Sequence, residues 1–260
     1  MTFAKIKKFR IIKYKHTVKP ALKIKNVSKS FNGVPVLQNF NLNILPGSIN
    51  GLLGENGSGK TTLFNLILGN LKADEGEIYA KGSTLISSMP IHERCKKFRI
   101  SYVPQKTSLF LGLSCQDNIK GVAQLMMKDS RKVDEICDRL LTEFQLLDVA
   151  KNKADELSGG EKKKLSIARA LINDPEILLL DEIFAALSPK IIETIKNLIV
   201  NLQTTRRSLS ILISDHIYQH ILDLSDIVHI LSDGEIIKSQ KPADIIKDVS
   251  ARKAYFGDSY

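Results

Sequence analysis

Asp181 and Glu182 stand side by side in "DEIFAALSPK" (181–190), directly after the apolar run "EILLL". Two adjacent carboxylates at the end of such a run suit a divided task. Asp181 would hold Mg2+, directly or through water, and Glu182 would sit where an attacking water must be oriented. The alternative is a pair of capping acids ahead of a helix over 189–203, but two acids at the end of a buried strand are poor candidates for mere solvation. What they would act on comes from "GENGSGKT" (54–61), which matches the phosphate-binding pattern G-x-x-x-x-G-K-[ST] in full. Gly54, Gly57 and Gly59 let the main chain turn, so that consecutive N–H groups through Glu55, Asn56 and Ser58 face a phosphate. The helix that follows, through Thr61 and Thr62, offers its positive N-terminus to the same anion. Lys60 supplies a point charge for β- and γ-phosphates, and the Thr61 hydroxyl can ligate Mg2+. The alternative, a chance glycine loop before a helix, is disfavoured by the strand pattern ahead of it and the helical pattern behind. Loop and carboxylates together point to phosphoryl hydrolysis.

These residues need elements to position them. "LKIKNVSKSFNGVPVLQNFNLNI" (22–44) reads as strands with a hairpin turn at Asn32-Gly33. "INGLLG" reads as a short buried strand, "KTTLFNLILGNL" as an apolar-rich helix, and "RISYVPQ" as another strand. Residues 114–156 read as mostly helical, with Leu140, Leu141, Phe144 and Leu147 three or four apart. "LSGGEKKKLSIARALI" opens with a Ser-Gly-Gly cap and carries Leu165, Ala168, Leu171 and Ile172 on one face. "EILLL" and "LSILIS" are continuous apolar strands, each expected to be buried on both faces, with helix 189–203 between them. Strands alternating with helices predict an α/β fold around a mainly parallel, covered sheet. No repeat or low-complexity tract interrupts it.

The 260 residues, 43% hydrophobic and 25% charged, suit one large domain or two tightly joined lobes. Cys95, Cys115 and Cys137 have no metal-ligand spacing, which points to a reducing compartment. No apolar run approaches the roughly 18 residues of a membrane span, and no signal-peptide core follows the basic start. Work at a membrane would need a partner embedded there. Of the net charge of +10, +7 lies in residues 1–20, on Lys5, Lys7, Lys8, Arg10, Lys13, Lys15 and Lys19 with no acid. The segment reads as a solvated tail, or as a patch for anionic lipid or RNA. Its apolar residues do not form one helical stripe, and one Arg without Ser argues against an organellar targeting segment.

"LSGGE" (157–161) completes a set. With "GENGSGKTT", "YVPQ", "ILLLDE" and "ISDH" in this order and spacing, the chain over roughly residues 22–260 resembles the nucleotide-binding subunits of ABC transporters. The resemblance implies a RecA-like P-loop core, an antiparallel β subdomain and a helical signature subdomain at about 106–160, all within a cassette spanning 21–260 after a basic extension of 1–20. It implies ATP and Mg2+ as cofactors. It also implies a head-to-tail dimer in which Ser158, Gly159 and Gly160 point a helix N-terminus at ATP held by the second copy. By the same resemblance Gln105 reaches Mg2+ and reports to a membrane subunit, His216 contacts the γ-phosphate, and Phe31 stacks on adenine. Phe31 beside its turn also reads as a strand core residue. Three positions depart from the family pattern. Ile183 replaces the usual Pro, Ala186 the usual Gly, and Ser188 the Asp that helps couple the two ATP sites.

A closer resemblance is to the ATPases of lipopolysaccharide export, on "PIHERCKKFRISYVPQKTSLFLGLSCQDNI" (90–119), "ILISDHIYQHILDLSDIVHILSDGEII" and the tail "ARKAYFGDSY". It implies integral membrane subunits contacting the region Gln105–Gly112, with Phe110 in a groove, and a peripheral place on the cytoplasmic face of the inner membrane. Leu111 and Gly112 depart from the basic residues usual there, and Phe110 also reads as core of the helical lobe. ATPases of branched-chain amino acid importers resemble the chain next. ABC proteins of DNA repair or translation usually carry a coiled-coil insertion or two cassettes, neither of which is present, so no nucleic acid is expected. A degenerate cassette that only binds ATP is opposed by Lys60, Asp181, Glu182 and His216.

Overall fold

The computed structural model describes residues 18–106, 108–252 and 255, so most of the basic extension lies outside the described residues. The chain begins with the hairpin β1 (Leu22–Phe31) and β2 (Val34–Ile44). Its turn is Asn32-Gly33 with φ of 51° and 80°, the left-handed pair that a two-residue hairpin requires. With β4 (Glu75–Ala80) and β5 (Thr84–Leu85) it forms an antiparallel four-stranded sheet, ordered β2-β1-β4-β5. Pro20 and Ala21 are already tied to it, through Gly82 N–H to Pro20 O and Ala21 N–H to Ile44 O, both 2.8 Å.

The second sheet has six strands. β3 (Ile49–Leu53), β6 (Ile100–Val103), β7 (Ile177–Asp181), β8 (Ser210–Ser214) and β9 (Ile227–Ser232) are parallel, and β10 (Glu235–Gln240) closes one edge antiparallel. The order is β10-β9-β3-β8-β7-β6. β7 and β8 are buried at every position, as their unbroken apolar runs predict. Successive side chains alternate between two cores. Leu179 and Leu212 pack with Leu63, Phe64 and Ile67 of α1 (Lys60–Leu68) and with the antiparallel sheet. Leu178, Leu180, Ile211 and Ile213 pack on the opposite face against the remaining helices. α2 (Ile91–Phe98) precedes β6.

The helical lobe contains α3 (Cys115–Met126) and α4 (Ser130–Glu143), and α5 (Gly159–Ala170) follows it. Ser114, Asp129 and Ser158 cap their N-termini with side-chain oxygens. The expected apolar stripe fails at one place. Leu140, Leu141 and Phe144 are buried, but Leu147 is exposed and Leu146 is buried instead. α4 stops at Glu143, and Gln145 takes φ 54°, so the helical phase is lost before residue 147. α6 (Pro189–Thr205) lies between β7 and β8, with Pro189 at its first turn, where a missing N–H leaves no bond unmade. α7 (Tyr218–Leu224), α8 (Pro242–Ile245) and α9 (Val249–Ala251) complete the described chain.

Candidate functional site

The carboxyl ends of β3, β6, β7 and β8 lie together, because register pairs Asp181 with Ser214, Leu52 with Ser214 and Val103 with Leu180. Everything that leaves these strands emerges on one edge, where an open α/β sheet holds its ligand. From β3 comes the loop 54–59, then α1. Gly54 is hemmed in, since a Cβ there would lie 2.5 Å from Ser58 Oγ and 2.7 Å from Leu231 O. Gly57 and Gly59 have φ of 84° and 104°, open to glycine at no steric cost. The Lys60 ammonium is buried over the loop and donates to Gly54 O at 2.7 Å and Glu55 O at 2.8 Å. Burial lowers its pKa, while Glu182, Asp181 and Asp215 pull the other way. The Ser58 hydroxyl is buried without a partner among the described residues, a spare donor in the wall of an anion cradle.

Asp181 is buried and fully engaged. Ser214 donates to Oδ1 at 2.6 Å, and Thr61 and Tyr102 each donate to Oδ2 at 3.1 Å. Such a carboxylate is no helix cap. Thr61 Oγ1 and Asp181 Oδ2 form a pair of hard oxygen donors of the kind Mg2+ uses. Mg2+ takes few protein oxygens and completes its octahedron with water and phosphate oxygens, so two such donors suit it. Glu182 has φ 44°, turning its side chain off the strand line toward the loop. Gln105 Nε2 donates to Glu182 Oε2 at 2.6 Å, and His216 Nδ1 lies 3.9 Å from the same oxygen and 3.5 Å from Asp215 Oδ1. Thus Lys60, Thr61, Gln105, Asp181, Glu182 and His216 are brought together from four strand ends.

A cleft of about 290 Å³ is lined by Phe31, Asn56, Gly57, Gly59, Lys60, Thr61, Thr62 and Glu182. A larger hollow of about 410 Å³, lined among others by Glu55, Ser58 and Tyr255, contains none of Lys60, Thr61 and Glu182. The smaller cleft is therefore the one suited to a nucleotide. Phe31 is 41% exposed on its rim, with the Lys29 ammonium 5.5 Å from the ring centre, so its reading as strand core is overturned. Ser158, Gly159 and Gly160 line neither cavity. Ser158 and Gly159 are exposed at the start of α5, held by a reciprocal capping box with Glu161. Gly160 packs against α6, where a Cβ would come within 2.8 Å of Ile191 Cγ2.

Phe110 is 50% exposed, with Leu111 and Leu113 exposed nearby, so core packing of the helical lobe is excluded for it. Arg169 rests its guanidinium 4.8 Å from the Phe110 ring centre. Among the departures, Ile183 is buried, Ala186 is exposed at φ 59°, and Ser188 is exposed at the N-cap of α6 without a side-chain cap bond. Sequence reasoning passed over Tyr102, Ser214 and Asp215. Burial pushes the Tyr102 hydroxyl pKa up, helped by the charge of Asp181 and its hydrogen bond. Asp215 is buried and accepts from Phe184 N–H and Ile217 N–H, fixing the turn that presents His216. Each lies in, or directly after, a segment that already reads as a strand in the sequence. The last missed neighbour, Tyr255, donates to His216 O at 3.3 Å, and burial raises its pKa to about 12.

A family profile described as ABC transporter matches residues 37–185. A probable ABC transporter ATP-binding protein of Azorhizobium caulinodans is 36% identical over 244 residues, covering 94% of this chain and 85% of that protein. The lipopolysaccharide export system ATP-binding proteins LptB of Haemophilus influenzae and Escherichia coli K12 are 34% and 35% identical, each covering 92% of this chain and 98% of the relative. Among solved structures, an ATP-binding cassette of an ABC transporter in its ADP conformation superposes with TM-score 0.82 at 25% identity, covering 92% of this chain and 99% of the other. A dimeric cassette in a post-hydrolysis state bound to ADP and Pi superposes with TM-score 0.76 at 28% identity, covering 85% and 98%.

Proposed function

The chain belongs to the ABC transporter family as an ATP-hydrolysing, ATP-binding subunit, and from that premise we propose that it powers lipopolysaccharide export through separate membrane subunits. One observation carries the chemistry: the Asp181–Glu182 pair meets Thr61, Gln105 and His216 over the phosphate loop. The likeness to LptB proteins along nearly their whole length supports the cargo.

The geometry and the family resemblance support the following roles. The N–H groups of residues 54–62 and the start of α1 cradle the phosphates of ATP, and Lys60 adds charge at the β- and γ-positions. Thr61 and Asp181 would hold Mg2+, with Gln105 as a further oxygen ligand, and when bound the ion would supply positive charge against the phosphates. Glu182 accepts the proton of the attacking water, Gln105 orients the Glu182 carboxylate, and His216 reaches toward the γ-phosphate. Phe31 stacks on the base. Ser158 and Gly159, exposed at the start of α5, and the buried Gly160 behind them line neither cavity of their own subunit and cap the ATP of a second copy, giving a head-to-tail dimer with nucleotide between the subunits. The exposed apolar residues of Gln105–Gly112 dock the membrane subunits. Among the described residues no helix is long and apolar enough to cross a membrane, and the subunit works from the cytoplasmic face of the inner membrane.

Two measurements test this. Glu182→Gln should bind ATP yet release phosphate slower by on the order of 100-fold, the range of a lost general base, and should elute as a dimer with ATP. Normal turnover in that variant defeats the assignment of the base. A photocrosslinker at position 111, in membranes, should capture an integral subunit of lipopolysaccharide export. Capture of an amino acid permease assigns the cargo to the importer class instead.

A further inference from the structure

Lys163 is an unexpected residue to find buried. It lies on α5, one turn beyond the glycines, and only 6% of its surface is exposed. Burying an ammonium is unfavourable unless something in the fold engages it. Its Nζ donates to the main-chain carbonyl of Gln105 at 3.4 Å, in the field of Asp215 and Asp181. The Gln105 side chain continues the line, donating to Glu182 at 2.6 Å. A second cation of the same helix holds the far end of this segment. Arg169 Nη1 donates to Ser108 O at 2.7 Å and stacks on Phe110, whose main chain is fastened both ways by Asn118 at 2.9 Å.

We infer that Lys163 is a positioning residue for hydrolysis: through the Gln105 carbonyl it fixes where the Gln105 amide meets Glu182, and so ties α5 to the base. This rests on the reading of Glu182 as base and of Ser158–Gly160 as the segment that meets the second copy's ATP. The physical consequence is short-range coupling. A shift of α5 when its N-terminus engages nucleotide moves Lys163, and with it the main chain at Gln105. The loop is then aligned by the same helix that senses the partner, and Arg169 gives the segment toward Phe110 a matching anchor.

The test uses the full chain. Lys163→Met keeps the apolar stem and removes the charge. It should lower kcat about tenfold while leaving KM and directly measured ATP affinity within about twofold, because the phosphate loop is untouched. Amide exchange should accelerate over residues 105–110 and not over 54–62. Lys163→Arg, which retains a donor and charge, should recover most of kcat and the slow exchange. In a Gln105→Ala background, Lys163→Met should reduce kcat by less than about twofold further, since residues acting in one line are not additive. A kcat for Lys163→Met within twofold of the parent, unchanged exchange at 105–110, or a full further loss in the Gln105→Ala background each overturns the inference. Parallel Glu182→Gln protein separates the cases: if it is inactive while Lys163→Met is normal, the base stands and the positioning role falls.

Discussion

Two loop carbonyls accept from the buried Lys60 ammonium, and Glu182, Asp181 and Asp215 add favourable charge, which leaves a preformed cation at the phosphate-binding pattern. Lys60→Ala removes a charge-assisted contact worth about 1.5–3 kcal/mol, so ATP affinity should fall about 10–100-fold and turnover should vanish at ordinary ATP concentrations. Fluorescent-nucleotide titration reads this directly, and unchanged affinity would show that the phosphates bind elsewhere. Phe31 acts by surface rather than charge. Its ring is half exposed on the cleft rim, so Phe31→Ala should weaken ATP binding by about 0.5–1.5 kcal/mol of lost stacking and leave kcat nearly intact. Phe31→Tyr should bind as the parent does, and loss of kcat alone in Phe31→Ala would contradict a purely stacking role.

Elements set the protonation behaviour of the core. His229 on β9 is buried between strands, with Nε2 3.2 Å from Asn50 Oδ1 on β3 and Nδ1 2.7 Å from Ser239 Oγ on β10. Burial lowers its pKa to about 4, so the unfolded chain binds a proton that the folded chain rejects. Stability from this group is complete above the unfolded value near 6.5 and is lost as pH falls toward the folded one. Between pH 7 and pH 5 it should remove about 2 kcal/mol. His229→Gln keeps a donor and an acceptor without the titration, so urea midpoints at the two pH values should lie closer together in the variant than in the parent. Equal spacing would mean that His229 is not the group responsible. α5 shows the same economy of parts, since the hydroxyl that caps it at Ser158 also stands in the segment assigned to the partner's ATP.

At the scale of the molecule, the open question is communication between two cleft-and-signature pairs. Ser188 lies beyond the turn after Glu182, exposed, with no cap bond and outside the lining of the cleft. Ser188→Asp supplies a carboxylate with two acceptor oxygens for the second copy, and its charge near ATP offsets part of the gain. With membrane subunits present, the Hill slope of ATPase against ATP should rise while basal rate changes less. A large fall in basal rate with an unchanged slope would place residue 188 in its own active site. The basic extension should count for little here. Pro20 and Ala21 belong to the antiparallel sheet, and no motif precedes them, so removing residues 1–17 should leave turnover in solution intact. A large loss of turnover would show that the extension completes the fold.

By itself the sequence determined the chemistry. Phosphate binding needs contiguous N–H groups, so the pattern at 54–61 is local and readable, and the apolar runs before Asp181 and Ser214 announce buried parallel strands. The hairpin turn and the Ser158 cap were legible for the same reason: each is a property of a few neighbouring residues. The rest was decided by tertiary structure. That Tyr102 and Ser214 both donate to Asp181 follows from strand register, and that Lys163 reaches Gln105 follows from how α5 crosses β6. The exposure of Phe31 and Phe110 could not be read from their type, because an aromatic residue fits a core and a binding rim equally well. Leu147 left its stripe because one left-handed residue at Gln145 breaks the period, a main-chain event with no apolar signature. Contacts between residues distant in sequence depend on how whole elements pack, and no local pattern encodes that.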